Sequence, residues 1–398
     1  MKSSLCLATT VLVLLCWARQ ASADDFYDYI ASHCLIDTLA RTPYALGWET
    51  WIKEERRSRS FVPKHSPTPI RRAYGIPDPG TDGARARAAM LRKEWGAKPR
   101  SHVVDCRVDF PPGDPKDPKA TRTWYTAYLP EALIRDPATV RSVLLLVPGG
   151  NGGRTRYFLT PIPRKTIYHK MSGGLQTKYF TDEWLKAHPG ASAPIIAATN
   201  GPALLHTNGP VTFFTEDMPS HLATTYLGRP HTEVALGVEG ISSGSRELMY
   251  AFRAKPAAFN TLGLTCMHCR RNDGIDPDKH LGTDVERWAW LETVGQRARD
   301  GHLHIRFSVG NRDNQWGCNK EFHDLFVEAG ALAEAEPRYD RCKADHEVGP
   351  DWCDTHWDGF YLVEGAAHHY GLLIQSWRPQ LNWHLERLDK VVQTVYTE

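Results

Sequence analysis

Between Glu233 and Tyr250 the chain reads EVALGVEGISSGSRELMY, and this stretch restricts the possible folds more than any other. Val234 to Val238 is a short apolar run of the kind that forms a buried strand. It ends at Gly240-Ile241-Ser242-Ser243-Gly244, and from Ser243 the pattern becomes helical. A strand that turns at once into a helix needs glycines beside the turn, because side chains there would block the tight backbone. A serine at such a turn presents its hydroxyl outward from a strained conformation, with the first free amides of the helix beneath it. This is the pattern of a nucleophile elbow.

The rest of the chain supplies the sheet that an elbow requires. His102 to Phe110 and Thr121 to Leu129 alternate as two strands, with Pro111-Pro112-Gly113-Asp114-Pro115 between them. Val143 to Val147 is continuously apolar, as in a strand covered on both faces, and it breaks at Pro148-Gly149-Gly150-Asn151-Gly152-Gly153. Further strands are expected at Pro194 to Thr199, Thr261 to Thr265, Ile305 to Val309 and Phe360 to Val363. Helices are expected at Thr181 to Ala187, Arg246 to Arg253, Asp284 to Arg299, Phe322 to Ala335 and Leu372 to Val392. Alternating strands and helices predict an α/β fold with a mainly parallel, doubly wound sheet and helices on both faces. Ligands of such sheets sit at the carboxyl ends of the strands.

Two more strand ends carry chemistry. Gly310-Asn311-Arg312-Asp313 follows one strand, and Val363-Glu364-Gly365-Ala366-Ala367-His368-His369 follows the last. Taken alone, Asp313 reads as a turn aspartate and either histidine as a loop residue. In the order Ser242, Asp313, His368 they become a nucleophile, an orienting acid and a general base. The amides of Ser243 and of Gly150 or Asn151 then stand as oxyanion donors, and neither metal nor cofactor is required.

The ends and the composition bound the setting. Met1 to Ala23 has the positive start, apolar stretch and small-residue close of a secretory signal. The expected divisions are therefore 1–23, a basic extension at 24–100 and an α/β domain at 101–398, in a secreted or periplasmic protein. Of the nine cysteines, seven lie beyond Ala23, which in an exported chain points to disulfides and one leftover thiol. Cys266-Met-His-Cys269 reads as structural, since no second such pair accompanies it. Between Trp51 and Arg100 there are thirteen Lys or Arg against five Asp or Glu. That surplus reads as a solvated extension packed on the main domain, its alternative being a site for an anionic partner. The net charge of +2 argues against nucleic acid, and no segment is long enough for an integral membrane span.

Other candidates have plainer explanations. His302-Leu303-His304 puts two rings on one strand face, with no third zinc ligand nearby. Asp273, Asp276 and Asp278 lack calcium-loop spacing. Trp316, Trp352 and Trp357 either line a substrate pocket or pack long loops. Thr199 to Arg229 is long enough for a lid with Phe213, Phe214 and Tyr226 turned to the site.

GISSG, PGGNGG, GNRD and EGAAHH together make the chain resemble the α/β-hydrolase superfamily over roughly residues 101 to 395. It is similar there to secreted carboxylesterases and to depolymerases of the polyhydroxyalkanoate type. The resemblance implies a triad of Ser242, Asp313 and His368 and oxyanion donors at Gly150 and Ser243; from their places in the loops beside these residues, Asn151 and Trp316 are the expected substrate contacts. It implies hydrolysis of an ester, small or polymeric. A serine peptidase on the same fold and a hydrolase-like binding protein are the competing readings. The sequence leaves the oligomeric state open.

Overall fold

The structure, a computed structural model, describes residues 26–36, 76–110, 121–150, 157–158, 175–201, 209–269, 283–334, 338–339, 358–363, 365–368 and 370–395. Ten strands among these residues form one sheet: β1 (Cys34–Ile36), β2 (His102–Phe110), β3 (Thr121–Leu129), β4 (Ser142–Val147), β5 (Ile195–Thr199), β6 (Ala235–Ile241), β7 (Thr261–Thr265), β8 (His304–Gly310), β9 (Arg338–Tyr339) and β10 (Gly359–Val363). Their order is β1-β2-β3-β5-β4-β6-β7-β8-β10-β9. β1 with β2, β2 with β3 and β3 with β5 pair antiparallel, whereas β5, β4, β6, β7, β8, β10 and β9 run parallel. The central strands match the apolar runs of the sequence closely, β7 residue for residue.

β4 explains why those runs do not alternate. Val143, Leu145 and Val147 enter one core, and Leu144 and Leu146 enter the other. The first face is covered by α1 (Asp82–Ala97), α3 (Ser243–Ala254), α4 (Asp284–Arg299) and α5 (Trp316–Glu328), and the second by α2 (Thr177–Ala187) and α6 (Tyr370–Val395). With apolar layers on both sides, polar residues have no outward face to occupy.

Residues before 101 take part in this core. β1 pairs with β2, and Cys34 stands opposite Cys106, to which it is disulfide-bonded. Phe26, Ile30, Leu91 and Trp95 lie in the first core. α1 was not evident in the sequence because its buried positions, Ala84, Ala88, Leu91 and Trp95, include two alanines amid arginines. Its start carries ordinary signals, since Thr81 caps it by accepting from the Ala84 amide.

The expected lid is different in kind. From Pro210 to Leu227 the chain is helical, with π-helical stretches at Phe213–Asp217 and Ala223–Leu227. Phe213, Phe214 and Tyr226 are buried in the first core rather than turned to an open site. Three apolar rings in a short span gain more from the core than from a mobile cover.

A buried polar cluster fastens α6 to the sheet. Glu239 of β6 accepts from Thr265 Oγ1 at 2.8 Å and Gln380 Nε2 at 2.7 Å, and lies 3.0 Å from His384 Nε2. His384 Nδ1 faces Thr261 Oγ1 at 2.7 Å. Gly263 creates the space, because a Cβ there would come within 1.7 Å of a Glu239 carboxylate oxygen. Arg306, fully buried, lies with its guanidinium 3.9 Å from the centre of the Tyr361 ring. No helix among the described residues is long and apolar enough to cross a membrane.

His221 makes the fold sensitive to acid. Tyr125 Oη is 3.0 Å from its Nε2, and burial, aided by His33, lowers its pKa from 6.5 to about 3. Between those values the unfolded chain binds a proton that the folded chain does not. Stability is then fully present above about pH 6.5 and is lost as pH falls toward 3. Burial lowers His384 in the same sense. We expect Tm to fall across this window and to fall less steeply in His221→Gln; identical slopes would contradict the assignment.

Candidate active site

The strand order reverses direction between β4 and β6. After β4 the chain places β5 on one side, then returns to place β6 on the other. This leaves a crevice at the carboxyl ends of β4 and β6, where neighbouring loops diverge. Ser242 follows β6, and Pro148-Gly149-Gly150 follows β4.

The elbow has the strain its sequence implies. Ser242 lies at φ 56°, ψ −119°, a conformation that an L residue adopts only when its surroundings enforce it. Its N–H donates to Thr265 O at 2.9 Å, and its carbonyl accepts from Arg246 at 3.2 Å and His268 at 3.1 Å. A Cβ at Gly240 would stand 2.5 Å from Ser245 Cα, and one at Gly244 would stand 2.3 Å from Val147 O. Both contacts are with backbone, so neither position accepts a side chain without movement of the turn.

Ser242 Oγ is 2.8 Å from His368 Nε2. His368 Nδ1 lies 3.1 and 3.0 Å from the two carboxylate oxygens of Asp313. Asp313 is buried, 5% exposed, and also accepts from the Gln315 amide at 2.8 Å. The three residues marked out in the sequence thus meet at one edge of the sheet. His369 lies outside the described residues.

Asp313 and His368 come from neighbouring strands, β8 and β10, and their loops are fastened together. Asn311 N–H donates to Val363 O at 3.1 Å and Arg312 N–H to Ala366 O at 2.8 Å. The Asn311 side-chain oxygen accepts from the Gly365 amide at 2.7 Å. In the sequence Asn311 is one residue of a loop; its side chain finds its partner at Gly365, 54 residues onward.

On the other side of Ser242, Gly149 approaches so closely that a Cβ would lie 2.8 Å from the serine Cβ. Gly150, at φ 47°, donates its N–H to Ser243 Oγ. That amide has a partner in this arrangement, so receiving a substrate oxygen would require it to exchange Ser243 Oγ for that oxygen. Ser243 is the first residue of α3, where helix amides lack internal acceptors. Trp316 begins α5 close to Asp313 and is 40% exposed. Asn151, Trp352, Trp357, Asp273, Asp276 and Asp278 lie outside the described residues.

The cysteine pair divides. Cys269 is disulfide-bonded to Cys318, while Cys266 is a free, buried thiol. Burial, with Asp313 beside it, pushes the Cys266 thiol far up, so it is protonated and a poor nucleophile. Of the other histidines singled out, His304 pairs with Asp358 at 2.8 Å, and His302 is exposed.

A doubly wound sheet, a reversal of strand order, and a strained serine at that reversal define the architecture. This is the α/β-hydrolase fold. No protein-family model matches the sequence, and no curated protein matches it. Among solved α/β-hydrolase-fold structures, a ferulic acid esterase is similar over 73% of this chain and 99% of its own, at 15% identity with a TM-score of 0.46. A ferulic acid esterase from Anaeromyces mucronatus is similar over 72% of this chain and 92% of its own, at 10% identity and a TM-score of 0.44. For a siderophore hydrolase from Aspergillus nidulans the values are 74%, 96%, 12% and 0.40.

If Asn311 holds the His368 loop in place, Asn311→Ala should slow phosphonylation of Ser242 by up to about a hundredfold. Asn311→Asp keeps the acceptor oxygen and should restore most of the rate. Mass spectrometry of the labelled peptide over time gives both rates, and a fast Asn311→Ala variant would exclude the role.

Proposed function

We propose that the chain is an exported serine hydrolase that cleaves carboxylic esters through an acyl-enzyme on Ser242. The observation that carries this reading is the continuous contact from Ser242 Oγ to His368 Nε2, at 2.8 Å, and from His368 Nδ1 to Asp313, at 3.0 Å.

The chemistry follows from these atoms. Neutral His368 carries its proton on Nδ1, donates it in a hydrogen bond to Asp313, and leaves the Nε2 lone pair to accept from the serine hydroxyl. As Ser242 Oγ attacks the acyl carbon, its proton passes to Nε2, and Asp313 stabilises the resulting imidazolium. The same proton then goes to the leaving alkoxide. Water enters, gives a proton to Nε2 as it attacks the acyl carbon, and the acid is released as that proton passes to Ser242 Oγ, which restores the free enzyme. The Ser243 amide, with the Gly150 amide once it exchanges its partner, binds the developing oxyanion, each donor contributing about 3 kcal/mol. Trp316, beside Asp313, is the described residue proposed to contact the substrate, and the expected contact from Asn151 remains a reading of the sequence.

An ester is favoured over a peptide because its alkoxide leaves more readily than an amine, so the triad alone suffices. The Ser, His and Asp contacts also weigh against an inactive binding protein, which needs no such alignment. Export rests on the Met1–Ala23 pattern together with disulfides Cys34–Cys106 and Cys269–Cys318.

An organophosphonate should label Ser242, and Ser242→Ala should take no label. Label persisting in that variant would remove the assignment. His368→Ala should lose several powers of ten in kcat and Asp313→Asn about ten-thousandfold, while His369→Ala stays close to wild type. Matched ester and anilide substrates, assayed side by side, separate esterase from peptidase; faster anilide turnover would favour the latter.

A further inference from the structure

β7 lies between the strand of the nucleophile and the strand of the acid, and the residue directly beyond it is Cys266. Its position is fixed: the N–H donates to Ser308 O at 2.7 Å, and the backbone is held at φ 41°. Cys266 Sγ, a carboxylate oxygen of Asp313 and a ring nitrogen of His368 all lie within 4.8 Å of one another. The other cysteines among the described residues are in disulfides.

Thiolate, imidazole and carboxylate are the ligands of a borderline-soft cation. A zinc ion holds sulfur at about 2.3 Å and nitrogen or oxygen at about 2.0 to 2.2 Å. In a tetrahedral site, ligands of those lengths stand about 3 to 4 Å apart, so small side-chain shifts would bring these three into place. His368 is only partly covered, with 32% of its side chain exposed. Its open side provides a way in and room for a fourth ligand from water.

We propose that Cys266, Asp313 and His368 form an inhibitory site for a thiophilic divalent cation of the zinc type. The inhibition rests on the triad reading above; the binding does not. Nδ1 is the ring nitrogen that faces Asp313, and it is the one the cation takes. The cation enters as M²⁺, the Cys266 S–H bond breaks, and that proton leaves to solvent. The Nδ1 proton is likewise given up, and solvent supplies one to Nε2. The net change is one cation bound and one proton released, with no oxidation or reduction. The ring is then fixed as the Nε2–H tautomer, which has no lone pair for the Ser242 hydroxyl. The cation thus silences the serine without touching it.

Two measurements on the full chain test this. Zn²⁺ is titrated against phosphonate labelling of Ser242, and Co²⁺ is added to Ser242→Ala, where a thiolate-to-cobalt charge-transfer band reports binding without turnover. Zn²⁺ should slow labelling of the wild type, and the band should appear. Cys266→Ala should need about tenfold more Zn²⁺ or above for the same slowing. Adding Cys266→Ala to Ser242→Ala should abolish the band. Cys266→Ser, which keeps the side-chain volume, should behave likewise and guards against a packing defect. Equal Zn²⁺ sensitivity with and without Cys266, or no band in Ser242→Ala, overturns the proposal. A band that depends on Cys266, with Ser242 unlabelled in every form, supports the site and overturns the triad reading.

Discussion

Ser242 is held at φ 56°, and much of the surrounding architecture can be understood as what keeps it there. A residue left to itself would relax to negative φ, so the conformation persists only while neighbours on both sides block the way back. Thr265 O fixes the Ser242 amide from β7, and His268 and Arg246 fix its carbonyl. Val147 O leaves no room for a side chain at Gly244, and Gly149 lies against the serine itself. These restraints come from β4, β7 and α3 together. The strain is therefore a property of the packed sheet rather than of five residues.

The same requirement clarifies which features the sequence exposes. β4 and β5 are legible because both faces are apolar and the runs stand out against their flanks, and β6, β7 and β8 because Leu236, Val238, Leu262, Leu264, Ile305, Phe307 and Val309 keep one face apolar. α4 is legible to the residue because Thr283 and Glu286 form a capping box that declares its start. The order Ser242, Asp313, His368 is legible because each residue follows a recognisable strand, and a parallel sheet brings all such ends to one edge. Less legible are features whose partners lie far away. Cys34 and Cys106 are 72 residues apart and adjacent only after β1 joins β2. Phe213, Phe214 and Tyr226 have the composition of a lid or of a core, and only the neighbours they find decide between the two. The Gly150 amide reads as an oxyanion donor, and only the folded turn shows that its N–H donates to Ser243 Oγ.

Asn311 and Cys266 stand in opposite relations to the contacts among Ser242, His368 and Asp313. Asn311 acts on the loops, fastening the Asp313 turn to the His368 turn through one side-chain oxygen. Cys266 stands directly after β7, which lies between β6 and β8, and is buried close to the Asp313 carboxylate. A polar residue there would compete for Asp313, whereas a protonated thiol is a weak donor that packs as a small apolar group. The position therefore favours a small side chain of low polarity. Cysteine meets that need and brings with it a ligand that alanine would not.

The polar cluster behind the sheet extends the reasoning from the active edge to the whole fold. Glu239 precedes Ser242 by three residues and is fully buried. Such a carboxylate is costly unless its oxygens are paired, and removing a single partner costs more than the pair contributes. Its partners come from β7 and α6: Thr265, Gln380 and His384. Thr265 is also the residue whose carbonyl holds the Ser242 amide. One residue thus joins two systems, its hydroxyl serving the buried carboxylate on one face and its carbonyl the strained serine at the strand end. A displacement of α6 would take Gln380 and His384 from Glu239 and leave it the Thr265 hydroxyl. The C-terminal helix, distant along the chain from the elbow, is in this way part of what keeps the serine in its unfavourable conformation.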